Sequence, residues 1–300
     1  MASCNVAPLS RRHLLFTAAG AAAGLAFQGP GAGIAEATSQ RGSSTPPGRL
    51  KQSVSRWPFG EIPLPDLCRA ARTMGLGGID LLHREDWAPV RDLGLVCSMG
   101  YPTSRRDFIE TGFNDRANHP MLLRELEATI PLAARQGVPS IIAMFGNRRG
   151  KGDAVAIESC VAGLTAAAPV AEENRVTICL ELLNSKVDHA DYQGDNTAFG
   201  VQVVKAVGSP RVKLLYDIYH MQIMEGDVIR TIRENIAHIA HFHTAGVPGR
   251  HELDQTQELN YGAIARAIAD TGFEGYFAHE FKPTKDPLTS LREAVAVCRV

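Results

Sequence analysis

The 300-residue sequence is short of paired cysteines, of net charge and of glycine-rich fingerprints, and each shortage removes a class of protein. Its six cysteines show neither a Cys-x-x-Cys nor a Cys-x-x-x-His spacing, which excludes a disulfide framework or a zinc ribbon. Thirty-one Lys and Arg against thirty-two Asp and Glu give a net charge of −1, so no global positive field is available for a nucleic-acid backbone. No Gly-x-Gly-x-x-Gly opens a helical stretch, and Gly75-Leu76-Gly77-Gly78 does not have that pattern. What is present is 45% hydrophobic and 21% charged residues, the composition of a globular chain with material for a large core.

The first residues read as an address rather than as structure. Arg11-Arg12 precedes a small, weakly apolar run from Thr17 to Phe27, and Ala35-Glu36-Ala37 supplies an A-x-A cleavage site. That order is the one expected of a bacterial twin-arginine export signal at 1–37. The run is about a dozen residues long, against the roughly 20 a membrane-spanning helix needs, so no stable membrane insertion is expected of it. A Ser-, Pro- and Gly-rich tether follows at 38–49, leaving 50–300 as the folded body. The expected location is periplasmic or secreted, with the export machinery as a partner and a homo-oligomer possible. Cleavage removes Cys4, and the remaining Cys68, Cys97, Cys160, Cys179 and Cys298 are an odd number, read as core residues rather than bridges.

From Leu50 onward, short apolar runs alternate with longer stretches of helical period, the pattern of a parallel sheet with crossover helices. Strands are expected at Gln52–Trp57, Gly78–Leu82, Leu95–Met99, Ser140–Phe145, Thr177–Leu182, Lys213–Tyr216, Ile239–His243 and Tyr276–Glu280. Helices are expected at His119–Gln136, Ile157–Glu173, Thr197–Val207, Asp227–Asn235, Tyr261–Thr271 and Pro287–Val297, with Gly137, Gly208 and Gly272 placed to end three of them. Eight such units in about 250 residues fit an α/β fold, a single (β/α)8 TIM barrel, better than a doubly wound open sheet.

A barrel places its active site at the C-terminal ends of its strands, so an ionisable residue that closes an apolar run has an expected address. Four runs end this way, in Glu181, Asp217, His243 and Glu280. Leu180, Tyr216 and Phe242 suit the alternation that turns their neighbours inward, whereas His279 fits poorly. Two Glu, one Asp and one His form an O3N set suited to a divalent metal such as Mn²⁺ or Mg²⁺, with Co²⁺ possible, and a cation relieves the repulsion among three adjacent carboxylates. Around the same rim, His220, Arg250, Asn184 and His189 are substrate-binding candidates, with Lys186 and the Asn147-Arg148-Arg149-Gly150 loop as further anion candidates.

The second half of the chain also resembles a known family. Leu180-Glu181-Leu182-Leu183-Asn184, Lys213-Leu214-Leu215-Tyr216-Asp217-Ile218-Tyr219-His220-Met221-Gln222, Gly226-Asp227, Pro248-Gly249-Arg250-His251-Glu252, Leu259-Asn260-Tyr261 and His279-Glu280-Phe281-Lys282-Pro283 are similar to hydroxypyruvate isomerases. Those enzymes belong to the xylose isomerase-like barrel superfamily, with ketose 3-epimerases, inosose dehydratases and endonuclease IV. The likeness is thinner before residue 150, where Gly112-Phe113-Asn114 and Gly146-Asn147-Arg148-Arg149-Gly150 carry it. It implies Glu181, Asp217, His243 and Glu280 as metal ligands, Glu181 and Glu280 as the acid/base pair, and isomerisation through an enediolate, such as hydroxypyruvate to tartronate semialdehyde. The chain has His243 where those isomerases commonly carry Gln, as the epimerase branch does, so a ketose 3-epimerase is the first alternative. A non-catalytic periplasmic sugar-acid binding barrel is the second.

Overall fold

Eight parallel strands form one sheet in the computed structural model, which describes residues 48–300. The segment read as an export signal and the tether up to residue 47 lie outside the described residues. The strands are β1 (Lys51–Ser55), β2 (Gly78–Asp80), β3 (Val96–Cys97), β4 (Ser140–Ala143), β5 (Thr177–Glu181), β6 (Val212–Asp217), β7 (Ile239–Thr244) and β8 (Tyr276–His279). Their hydrogen-bonded order is β3-β2-β1-β8-β7-β6-β5-β4, and the remaining seam between β3 and β4 is closed by Gly100. Gly100 N donates to Ser140 O at 2.9 Å and Gly100 O accepts from Ile142 N at 3.1 Å. Only glycine fits this seam, because a Cβ there would lie 2.6 Å from Trp87 Cζ2. The result is a (β/α)8 barrel.

The crossover helices are α1 (Leu64–Met74), α2 (Arg84–Asp92), α3 (His119–Gln136), α4 (Asp153–Asn174), α5 (Thr197–Val207), α6 (Ile218–Met224), α7 (Val228–Asn235), α8 (Tyr261–Ala269) and α9 (Pro287–Val297). The bounds of α3, α5 and α9 are those expected from periodicity, and Gly137 and Gly208 cap α3 and α5 in the left-handed conformation. Helix α8 stops at Ala269, two residues short of expectation, with Asp270 rather than Gly272 as its cap. Helix α4 is 22 residues long, and it is long and apolar enough to span a membrane by length and composition alone. Its buried Ala156, Cys160, Leu164, Ala167 and Ala171 instead recur at helical spacing on one core-facing stripe. All five cysteines among the described residues are buried and unpaired.

Trp57 leaves the expected first strand and sits in a short 3₁₀ turn after β1, which moves it over the barrel mouth. The first-half segments Gly112-Phe113-Asn114 and Gly146-Asn147 pack backbone against backbone. Asn114 Nδ2 donates to Asn147 O at 2.7 Å, and a Cβ on Gly112 would lie 2.2 Å from the Phe145 carbonyl carbon. This contact ties the β3–α3 loop to the end of β4 beside the mouth.

Candidate active site

Alternation along the strands turns Glu181, Asp217 and His243 to the barrel axis while Leu180, Tyr216 and Phe242 face the helices. Glu280, one residue past β8, joins them. Ligand atoms of Glu181, Asp217, His243 and Glu280 all lie within 4.8 Å of one another, and all four residues are buried. His243 is the hub: its Nδ1 lies 3.0 Å from Glu181 Oε1 and 2.9 Å from Glu280 Oε2. His279, the poor fit, points the other way, between barrel and helices. Its ring nitrogens meet Gln52 Oε1 at 2.8 Å and Thr244 Oγ1 at 3.1 Å, so a buried polar residue is satisfied there.

Arg250 completes the cluster. Its Nη2 donates to Glu280 Oε2 at 2.6 Å and lies 3.4 Å from Asp217 Oδ2. The guanidinium is held between the rings of Trp57 and Tyr219, 5.3 Å from each centroid, and Trp57 Nε1 donates to Glu280 Oε1 at 2.6 Å. Trp57 and Tyr219 were not among the expected site residues. Asp217 Oδ1 also caps α6, accepting from Tyr219 N at 2.8 Å and His220 N at 3.3 Å.

Charge shapes the protonation of the cluster. Burial pushes the Asp217 carboxyl up to about 7, against the lowering effect of Arg250. Burial would raise Glu280 as well, but His243 and Arg250 beside it hold its carboxyl well below the usual range. Burial opposes a charge on His243, yet Glu280, Asp80 and Glu181 raise it well above an ordinary histidine. Four buried carboxyl groups, counting Asp80, thus face two positive groups, Arg250 and protonated His243. The set is left net negative, and its oxygen-rich donors with one imidazole fit a divalent cation, which would take the place of the His243 Nδ1 proton. Raised Asp217 and His243 are what such a set does when protons alone must relieve it.

A cavity of about 300 Å³ opens over the cluster. Glu181, Glu280, Arg250 and His189 provide its polar wall, while Leu81, Phe108, Ile109, Ile142, Met144 and Leu183 provide an apolar one, with Trp57 and Tyr101 at the edge. Tyr101 is half-buried, and desolvation together with the charges of Glu280 and Glu181 keeps its hydroxyl protonated. A larger groove of about 720 Å³ between α5 and α7 lies elsewhere and gathers no comparable ionisable cluster.

Of the expected substrate-binding residues, Arg250 and His189 line the cavity, whereas His220 and Asn184 do not. His220 follows Asp217 by one turn of α6, which carries it beneath the carboxylate and into complete burial. Its Nδ1 meets Asn184 Nδ2 at 2.7 Å, and its Nε2 faces Asp217 Oδ2 at 3.5 Å. Asn184 Oδ1 accepts from Val187 N and Asp188 N, so its side chain braces the β5–α5 loop. Both residues support the site from behind. Lys186 caps the end of α6 through Ile223 O and Met224 O. Arg148 of the Asn147–Gly150 loop pairs with Asp153 and Asp195, so its charge is spent away from the cavity.

One carboxylate escaped sequence reading. Asp80 ends β2 at the centre of the barrel, 2.9 Å from His243 Nε2 and 3.1 Å from His241 Nε2. The expected strand Gly78–Leu82 buried it in the middle of an apolar run. A charged residue of inward parity inside such a run was the available signal.

Comparison with known proteins agrees with this geometry. A family model described as xylose isomerase-like TIM barrel matches residues 68–299. A human protein named "Putative hydroxypyruvate isomerase" is 28% identical over 260 residues, covering 82% of this chain and 93% of that protein. A 2-oxo-tetronate isomerase from Cupriavidus necator is 37% identical over 120 residues, covering 40% of this chain and 45% of that enzyme. A crystal structure of an AP endonuclease, family 2, from Brucella melitensis has the same fold, with a TM-score of 0.73 at 23% identity, covering 81% of this chain and 97% of that one.

Proposed function

The chain belongs to the xylose isomerase-like TIM barrel family, and from that premise we propose that it is a divalent-metal-dependent isomerase of small hydroxy-keto acids, hydroxypyruvate isomerase-like in its reaction. The observation that carries this reading is the placement of Glu181 and Glu280 on one cavity with His243 Nδ1 between them. Binding alone needs no pair of opposed proton carriers.

Glu181, Asp217, His243 and Glu280 would hold the cation. Mn²⁺ or Mg²⁺, when bound, polarises the substrate carbonyl and the adjacent hydroxyl and acidifies the carbon-bound proton. Glu280 is engaged by Trp57, Arg250 and His243, whereas among the described residues the Glu181 carboxylate meets His243 alone and keeps its second oxygen for the cavity. Glu181 therefore takes the proton from C3 of a hydroxypyruvate-like substrate. Glu280 relays a solvent proton to C2, the C3 hydroxyl proton passes to the C2 oxygen, and Glu181 releases its proton to solvent, which resets the pair. C3 is oxidised to an aldehyde, C2 is reduced to an alcohol, and no external electron carrier is needed. Arg250, clamped between two rings, orients the substrate carboxylate, and the apolar wall keeps water from the enediolate.

His243 favours a second reading, a ketose 3-epimerase, in which the same two glutamates exchange a proton at a single carbon. Deuterium uptake from D2O separates the cases: isomerisation labels C2 of the product, whereas epimerisation labels C3 of a ketose. Replacing Glu181 or Glu280 by Gln should lower turnover by about 10² to 10⁴-fold, the usual contribution of a positioned acid or base. Full turnover in either variant would overturn the reading, and a chain that neither binds metal nor exchanges protons would be a binding barrel. Periplasmic or secreted location is part of the proposal. Converting Arg11 and Arg12 to Lys should retain the protein in the cytoplasm on fractionation, and undiminished export would contradict it.

A further inference from the structure

Beneath the cluster, Asp80 is completely buried and held from three sides. His243 Nε2 approaches Asp80 Oδ2 at 2.9 Å, His241 Nε2 lies 3.1 Å from Oδ1, Ser98 Oγ donates to Oδ1 at 2.6 Å, and Ser55 Oγ reaches Oδ2 at 3.4 Å. These partners come from β7, from the residue that follows β3 and from β1, so the carboxylate cannot rotate without breaking contacts on two sides. His243 is consequently gripped at both ring nitrogens, by Asp80 below and by the Glu181–Glu280 pair above.

A neutral imidazole carries one N–H, and a nitrogen can ligate a cation only through a free lone pair. If Nδ1 is the ligating atom, the proton must sit on Nε2, where Asp80 accepts it. We propose that Asp80 is a positioning residue: by accepting Nε2–H it fixes the His243 tautomer and ring plane, and so keeps the Nδ1 lone pair aimed at the space between Glu181 and Glu280. Asp80 touches neither substrate nor cation and acts through His243. Carboxylates behind a ligating histidine typically contribute about 10- to 100-fold in metal affinity. An asparagine at the same place can turn its amide N–H toward Nε2, which selects the wrong tautomer while keeping the volume.

The inference rests on reading the upper cluster as a metal centre, and Mn²⁺ titration of the full chain against a competing chelator tests the two separately. The parent chain should bind one Mn²⁺, and Asp80→Asn should bind it about 10- to 100-fold more weakly with melting still cooperative. In a His243→Gln background, adding Asp80→Asn should change the affinity less than twofold, because there is no imidazole left to orient. Parent-like affinity in Asp80→Asn, or the same loss with Gln at 243, overturns the positioning role while leaving the metal centre intact. No Mn²⁺ binding by the parent overturns the metal centre itself. Two ions per chain, one lost in His241→Phe, would make Asp80 and His241 a second metal site instead. Should Asp80→Asn fail to fold, ¹⁵N-histidine spectra of the Mg²⁺-loaded parent decide the matter: a proton on Nε2 of His243 supports the proposal, and a proton on Nδ1 overturns it.

Discussion

Arg250→Met removes the one permanent positive charge from the buried acidic cluster. Its side chain is 11% exposed, close to Asp217 and Glu280 that are 1% and 5% exposed, so solvent does little to replace it. Breaking a buried ion pair by deleting one partner costs about 3 to 5 kcal/mol, because the remaining charge stays uncompensated. The stacking between Trp57 and Tyr219 adds a smaller loss that methionine partly restores by packing. In a domain of this size about 1 kcal/mol moves the melting temperature by ~2–4 °C, which gives a fall of roughly 6 to 20 °C in chelator at pH 7.5. Saturating Mn²⁺ should recover more of the melting temperature in the variant than it adds to the parent, since the cation neutralises the same oxygens. Arg250→Lys keeps the charge but not the planar fork and should lose less. Thermal melts of the three chains, with chelator and with Mn²⁺, measure this. A chelated Arg250→Met chain that melts within about 2 °C of the parent would refute a charge-balancing role for Arg250 in the cluster.

The remaining predictions concern protons and the aromatic clamp. Asp217 near 7 and His243 above its ordinary value bind protons more tightly folded than unfolded, so the stability they contribute is present at low pH and lost as pH rises through about 7 and beyond. Buried His220, lowered well below its ordinary value, and His279, lowered to about 3, act oppositely and remove stability as pH falls below about 6.5. Metal-free protein should therefore melt highest near pH 6.5, with Mn²⁺ lifting the alkaline side most; a metal-free melting temperature that climbs from pH 7 to 9 contradicts this. Trp57→Phe keeps the stack on Arg250 but deletes the hydrogen bond to Glu280, a charged-acceptor bond worth about 1.5–3 kcal/mol. Steady-state kinetics should show kcat/KM down about tenfold or more for this variant, and parent-like kinetics would remove Trp57 from the site.

The strand–helix alternation and the four strand-end residues were legible because parity and position along a strand are local properties. Glu181, Asp217 and His243 declare their direction through Leu180, Tyr216 and Phe242, whose apolar side chains belong under helices. Glu280 was legible as a strand end despite His279, whose polar partners Gln52 and Thr244 lie on neighbouring strands and cannot be paired by spacing. Asp80 was hidden for the same reason, since its partners on β7 are more than 160 residues away. The misplaced His220 shows the limit of loop reasoning: helix α6 begins immediately after Asp217, so three residues onward means one turn beneath the carboxylate, not outward along the rim. Trp57 and Tyr219 belong to elements that meet only when the barrel closes, and nothing local marks them as the two faces of one clamp.

In the proposed reaction Glu181 and Glu280 move a proton on a substrate held over a divalent cation. The most direct measurement of that transfer is deuterium incorporation from D2O into hydroxypyruvate, four-carbon 2-oxo acids and ketoses, followed by NMR with the Mn²⁺-treated chain and then with Mg²⁺. Exchange is expected at the carbon next to the carbonyl, abolished by chelator and reduced at least about 10²-fold in Glu181→Gln and Glu280→Gln. Exchange that survives chelation or survives both substitutions would contradict the proposed reaction, as would a metal-saturated chain that exchanges no proton on any of these compounds.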